Sequence, residues 1–257
     1  MGKINRLLQD WPKGTIYTSA YLKSLGFSDA LIYQYKQSNW IESLGRGAFK
    51  QKEDEVDWLG GIYTLQTQNH SDIHPAGKSA LQLLGKTHYL PFRFHNIYMY
   101  SSQEDRLPAW FFKLQDADKC IFRPTNLFSN FLESYFVNYQ HKSFSIKIAS
   151  SELASFEMLH NIPQNQSFDE AYKIFENLTT LRADLVQLLL ESCNSIKVKR
   201  LFLYFAEEFE QHWFKKLKLK NIYLGHGKRV IDKNGKLNKK YLITVPELDR
   251  NDEIPVF

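Results

Sequence analysis

The side chains able to do covalent or metal chemistry in this 257-residue chain are few and scattered. Eight histidines (His70, His74, His88, His95, His141, His160, His212 and His226) fall in no HExxH run, and no GxSxG or GxGxxG motif occurs. His70 and His74 have the spacing of two ligands on one helix face, but Pro75 follows at once and the segment reads as a loop. Cys120 and Cys193 have no CxxC spacing and no histidine nearby in sequence, so buried, reduced thiols are expected rather than a zinc site or a disulfide framework. Gly77-Lys78-Ser79 echoes the end of a phosphate loop but lacks the upstream glycine. Gly225-His226-Gly227-Lys228-Arg229 could offer glycine amides and two cations to a phosphate, or serve simply as a turn between strands. Carboxylate pairs such as Glu207-Glu208 fall on the polar side of a helical pattern, and nothing assembles a nucleophile, a base and a group to orient it. The residues predict no enzyme, no cofactor and no metal. Their chemistry is that of recognition.

The charges point the same way. Net charge is +5, unevenly spread: residues 1–52 carry +5, 53–196 carry −6, 197–240 carry +9 and 241–257 carry −3. Two basic blocks flank an acidic middle, and clustered Lys and Arg are the electrostatic footprint of phosphate binding. The start of the chain has no apolar signal-peptide core, and no stretch approaches the ~18 apolar residues of a membrane span. A cytoplasmic protein without membrane contact is expected.

The first basic block has the elements to position a reader of DNA. Ile4, Leu7 and Leu8 recur at helical spacing before Trp11-Pro12 and Gly14 break the pattern. Thr18 or Ser19 suits the cap of a second helix with Tyr21, Leu22 and Leu25 as its apolar side, and Gly26 closes it. Ser28-Asp29 then starts a third helix reaching about Ser38. Two short helices joined by a tight glycine turn make a helix-turn-helix. The alternation Trp40–Leu44, the turn Gly45-Arg46-Gly47 and the return Ala48–Lys50 form a hairpin, or wing, with arginine at its tip. In the third helix, Leu31, Ile32 and Tyr35 are expected to face the core. Ala30, Tyr33, Gln34 and Gln37 remain for the major groove, with Lys36 on the flank and Tyr33 able to pack on the domain instead. Gln34 can read adenine bidentately; Thr18, Ser19, Ser28, Arg46 and Lys50 complete the candidate DNA contacts.

Beyond the wing, QKEDEVD (51–57) leads into a helical stretch over Trp58–Gln68 that continues despite Gly60-Gly61, and Gly77–Gly85 reads as another helix. From Asn96 the period becomes two, with strands expected at Ile97–Tyr100, Cys120–Phe122, Tyr135–Val137 and Phe144–Ile148. After Ser151 the pattern is helical, with Ser151 and Ser167 as caps, a helix over Leu181–Ser192 and a long helix from Ile196 to His212. Strands are expected near Ile222–Leu224 and Tyr241–Thr244. Strands followed by helices argue for an α+β class: a winged helix with following helices over residues 1–90, then a larger α+β domain over 91–257. In the long helix, Val198, Leu201, Phe202, Phe205 and Phe209 make the buried stripe. Lys197, Lys199 and Arg200 crowd its first turns, where the helix dipole disfavours cations. They are expected to form an exposed second basic face, extended by Lys215, Lys216, Lys218, Lys220, Lys228 and Arg229.

The wing WIESLGRGAF (40–49), HPAGKSALQLLGKTHYL (74–90), LPAWF (107–111), SIKVKRLFLYFAE (195–207) and LGHGKRVIDKNGKLNKKYLITVP (224–246) together resemble the AbiEi antitoxin family in order and spacing. SELASFEMLHNIP (151–163) departs from the Glu-Arg-Ala start associated with that helix. The resemblance implies an antitoxin of a type IV toxin–antitoxin pair. Such a protein represses its own operon by binding operator DNA and counters a nucleotidyltransferase toxin without a tight complex. Its antitoxic activity would lie in the C-terminal domain. Two other readings stay open: a repressor whose second domain binds a metabolite, and a defence nuclease using unrecognised carboxylates.

Overall fold

A computed structural model describes residues 2–87, 94–101 and 105–247. His88 and the last ten residues of the acidic tail lie outside them. The chain forms two compact units that interleave along the sequence: residues 1–75, 91–125 and 136–148 in one, and 76–90, 126–135 and 149–257 in the other.

The first unit opens with α1 (Lys3–Asp10), β1 (Tyr17–Thr18), α2 (Ser19–Ser24), α3 (Asp29–Gln37), β2 (Ile41–Gly45) and β3 (Ala48–Gln51). Leu7, Trp11, Tyr17, Leu22, Phe27, Ile32, Tyr35 and Ile41 bury one shared core, in which Trp11 and Tyr17 stack at 4.1 Å. Each such large apolar side chain stabilises the unit by roughly 1.5–3 kcal/mol, more than any cap or surface pair nearby. The strands make a three-stranded sheet in the order β1-β3-β2. This is a winged helix.

α4 (Trp58–Gln68) belongs to the same unit, and Asp57 caps it by accepting from the Gly60 N–H. The Gly60-Gly61 pair inside this helix has a packing reason. A Cβ on Gly60 would stand 1.8 Å from the Gly14 carbonyl oxygen, and one on Gly61 would stand 2.5 Å from the Leu114 side chain. Thr64 and Gln68 then hydrogen-bond β1 and the residue before it at Ile16 and Thr18, so α4 buttresses the winged helix. The unit is completed by β4 (His74–Pro75), β5 (Ile97–Ser101) and β6 (Cys120–Pro124), in the order β4-β5-β6, and by the pair β7 (Phe136–His141) and β8 (Phe144–Ala149). His74, expected in a loop, is buried in β4.

The second unit holds α5 (Gly77–Leu83), α6 (Ser151–His160), α7 (Phe168–Glu176), α8 (Ala183–Ser192) and α9 (Ile196–Glu208). Its three strands are β9 (Arg229–Val230), β10 (Lys236–Asn238) and β11 (Ile243–Val245), with β11 central, antiparallel to β10 and parallel to β9. α6 is capped by Ser150 rather than Ser151. The helical core is aromatic: Phe156 stacks on Phe202 at 4.3 Å, and Phe175 meets both Phe202 and Phe205 edge-on. Of the stripe, Val198, Leu201, Phe202 and Phe205 are buried as their spacing predicts, whereas Phe209 falls just past the helix end and is half-buried. Two expectations are corrected. α9 stops at Glu208, because Glu210 adopts a left-handed conformation (φ 47°) and Gln211 turns back to bond the Ala206 carbonyl. Ile222–Leu224 is no strand; the chain there is held as a loop by side chains from α9.

Candidate nucleic-acid interface

The α2–α3 turn is built from local hydrogen bonds. The Thr18 side chain caps α2 by accepting from the Tyr21 N–H, and the Ser28 side chain caps α3 by accepting from the Leu31 N–H. Between them Gly26, at φ +83°, lets its own N–H reach the Lys23 carbonyl while the Phe27 N–H reaches that of Leu22. Two of the candidate DNA contacts, Thr18 and Ser28, are therefore also the caps that set the angle of the two helices. Leu25, expected on the apolar side of α2, is exposed.

Along α3, Ile32 and Tyr35 are buried and Leu31 packs against the same core. Ala30, Tyr33, Gln34, Lys36 and Gln37 face solvent, and Tyr33 is 62% exposed. The alternative of Tyr33 packed on the domain is therefore ruled out. Trp40, read from sequence only as the first residue of the wing, is a second exposed aromatic. It follows Asn39, whose left-handed backbone (φ 55°) turns the chain out of α3.

The wing pairs Ile41 with Gln51, Glu42 with Lys50, Ser43 with Phe49 and Gly45 with Ala48, with a register shift between Ser43 and Gly45. Its tip is not loose. The Ser19 N–H, at the start of α2, donates to the Gly47 carbonyl at 2.8 Å, and a Cβ on Gly47 would sit 3.5 Å from the Ser19 hydroxyl. Arg46 projects from this anchored turn and is exposed.

Charge pairing sorts the cations of the module. Its three carboxylates are all engaged: Asp10 with Arg6, Asp29 with Lys23, and Glu42 with both Lys50 and Lys52. Hydrogen bonds from Lys52 and Lys50 hold the Glu42 carboxyl down at about 2. Lys50 also donates to the Asp54 carbonyl at 2.6 Å, so its ammonium is turned into the wing rather than presented as a contact. Among the described residues, Lys36 on α3 and Arg46 on the wing make no ion pair. Lys3 on α1 and Lys13 make none either, but Lys3 is turned to the Gly26 carbonyl at 2.9 Å. Each of the two elements that a winged helix offers to DNA thus presents a cation without a counter-charge.

The second basic face is not as expected. Lys199 and Arg200 are 4% and 2% exposed, and Lys197 is half-buried. Lys197 donates to the carbonyls of His160 and Ile162. The Arg200 guanidinium donates to the carbonyls of Leu224, Gly225, Gly227 and Leu242 at 2.6–3.2 Å. Burial pushes all three pKa values down. These cations face inward because main-chain oxygens of other segments need donors there. Lys228 is exposed, while Arg229 is half-buried and donates to the His226 and Lys228 carbonyls.

The remaining candidates for chemistry have structural partners. The Gly77 N–H donates to the buried Glu157 carboxylate at 2.9 Å and Lys78 pairs with Glu170, so protein carboxylates occupy the donors a phosphate would need. Asp57, which caps α4, accepts from His141 Nε2 at 2.8 Å. Burial raises the Cys120 and Cys193 thiols to about 12 and about 11, which makes both unreactive. No group of three or more potential metal ligands occurs among the described residues, and no described helix is long and apolar enough to cross a membrane.

Fold and surface together define a winged-helix transcriptional regulator. The sequence model of the AbiEi antitoxin N-terminal domain, a transcriptional regulator, matches residues 1–92. That of the AbiEi antitoxin itself, a transcriptional regulator of type IV toxin–antitoxin systems, matches residues 95–246. The chain belongs to the AbiEi antitoxin family. No curated protein sequence matches it. Among solved structures it is similar in fold to the RV2827C protein from Mycobacterium tuberculosis, with a TM-score of 0.59 at 14% identity over 93% of this chain and 88% of that one.

Proposed function

We propose that the protein represses its own operon by laying α3 in the major groove of operator DNA, with the wing tip on phosphate or in the minor groove. The observation that carries this reading is the coincidence of unpaired charge and exposed readers on those two elements: Gln34, Gln37, Lys36 and Tyr33 on α3, Arg46 on the wing. Ala30 leaves room for close approach, and the Ser19 and Ser28 hydroxyls lie at helix starts, where main-chain N–H groups favour phosphate. The second unit carries a separate activity that counters a nucleotidyltransferase toxin, without catalysis and in the cytoplasm. Family membership supports this division, and so does the basic loop at Lys228 and Arg229, remote in sequence from the winged helix. Along the sequence the proposed division is 1–90 and 91–257, close to the break between the two matching family models, and the toxin-countering activity is assigned to the part of 91–257 that lies in the second unit. A gel shift of the full chain on its own upstream region at several salt concentrations tests the DNA reading. Preference for that region over random DNA is expected, weakening with salt as counterions are released. Equal affinity for both sequences at every salt would sink it.

A further inference from the structure

Residues 212–231 contain six Lys and Arg and no Asp or Glu. Among the described residues none of the six forms an ion pair, and all but Arg229 are exposed. Within this segment the loop Tyr223–Arg229 is held unusually firmly. Arg200 ties down three of its carbonyls from beneath, Lys199 reaches the Tyr223 carbonyl at 3.4 Å, and Arg229 bonds two more. Gly225 and Gly227 both take left-handed conformations, and a Cβ on Gly225 would press on Ile196 at 3.0 Å. On top of this fixed loop Tyr223 is 64% exposed, its ring set edge-to-face against His226 at 6.0 Å.

We infer that this loop is a binding platform for single-stranded nucleic acid. An exposed aromatic ring on a rigid, acid-free, basic loop supplies both terms such ligands use: a face on which an unpaired base stacks, and cations that follow the backbone. The buried guanidinium of Arg200, solvated by carbonyls and not neutralised by a carboxylate, adds to the positive field outside. A duplex keeps its base faces covered by stacking, so Tyr223 has nothing to stack on there. The loop presents neither a helix nor a hairpin to enter a groove. Exposed Lys216, Lys218 and Lys220 extend the charge along the same segment. The inference deepens the antitoxic reading of the second unit by naming a ligand class. It rests on that reading for its setting, not for the binding itself.

The test uses the full chain and fluorescence anisotropy with labelled oligouridine and oligo-dT of about twelve nucleotides, a length within the usual site sizes. Random-sequence duplex runs alongside. Tyr223→Ala should weaken single-strand binding about tenfold, and Tyr223→Phe should preserve it, since stacking needs only the ring. Lys228→Glu should weaken it and flatten its salt dependence. Duplex binding should be unchanged by all three. Tighter binding of the RNA or of the DNA strand decides which sugar the site prefers, and either supports the inference. Absence of single-strand binding by the unaltered protein would overturn it, as would a Tyr223→Ala variant that binds like wild type. So would loss of single-strand binding in Arg46→Ala, which would place that ligand on the winged helix. Failure of the antitoxic reading would show in a toxin-rescue assay and leave these binding results unchanged, and failure of the operator reading would show only in the comparison of operator with random duplex.

Discussion

Arg46 and Gln34 face the same duplex, and truncation should separate what each does. Arg46→Ala removes a cation that no carboxylate balances, so affinity should fall for every sequence and the salt slope flatten by about one contact. Gln34→Ala should relax preference at one base position, costing roughly 1–3 kcal/mol there and little on random DNA. Gel shifts on operator and random duplex distinguish the two, and identical behaviour would mean α3 does not read bases. Arg200 belongs to another kind. Arg200→Ala leaves the carbonyls of Leu224, Gly225, Gly227 and Leu242 without their donor, and hydrogen bonds to a charged group contribute about 1.5–3 kcal/mol each. A loss of about 3 kcal/mol in urea-unfolding free energy is expected, since these partly buried carbonyls lose a charged donor together and cannot all find water. A change below about 0.5 kcal/mol, the range of ordinary surface substitutions, would show that the loop does not need its clamp.

At the scale of elements, the caps and one ion pair with a buried carboxylate set how the helices behave with mutation and pH. Ser28→Ala removes the acceptor for the Leu31 N–H and should cost about 1 kcal/mol, with weaker operator binding because α3 loses its fixed start. In the second unit, α6 and the start of α8 are joined by Glu152 and Arg182. The carboxylate accepts from the Arg182 main-chain N–H at 2.8 Å and from Nε and Nη2 at 3.0 Å. Burial alone would raise the Glu152 carboxyl, but the Arg182 donors outweigh it and hold it below the ordinary value. A carboxyl depressed in the folded state stabilises the protein above its unfolded pKa, and that contribution is lost as pH falls through the folded value. Stability measured from pH 7 down to about 3 should therefore fall more steeply for the wild type than for Glu152→Gln, which starts less stable. Parallel curves would contradict this assignment.

For the whole molecule, the decisive property is whether repression and antitoxicity separate. Reversing Lys197, Lys199 and Arg200 cannot test it, because all three are engaged with main-chain carbonyls and the variant would misfold. Lys220→Glu with Lys228→Glu can, since both side chains are exposed and such changes usually cost within ~0.5 kcal/mol. The double variant should repress a promoter reporter normally and fail to rescue cells expressing the partner toxin. Full rescue would place antitoxicity elsewhere, and loss of both activities would indicate one DNA-binding face shared by the two units.

The winged helix was legible because everything that makes it is local. Caps, a left-handed glycine, the helical spacing of Ile32 and Tyr35 and an alternating hairpin all fall within residues 1–51, so the exposed side of α3 follows from periodicity alone. The AbiEi resemblance was likewise carried by residue order. The fate of the cations on α9 was not. Spacing places Lys197, Lys199 and Arg200 in the first turns of a helix, and nothing nearby in sequence tells whether water or protein meets them. For Lys199 and Arg200 that is decided by chain 24 to 42 residues further on, whose carbonyls at 223–227 and 242 lie over the helix start, and for Lys197 by the carbonyls of His160 and Ile162, 37 and 35 residues before it. The interleaving of the two units escapes sequence for the same reason, as does the need for Gly60-Gly61 against Gly14 and Leu114. Local preferences act over a few residues and can be read in order along the chain. A buried charge or a close approach depends on which distant backbone arrives to satisfy it, and only the folded structure supplies that partner.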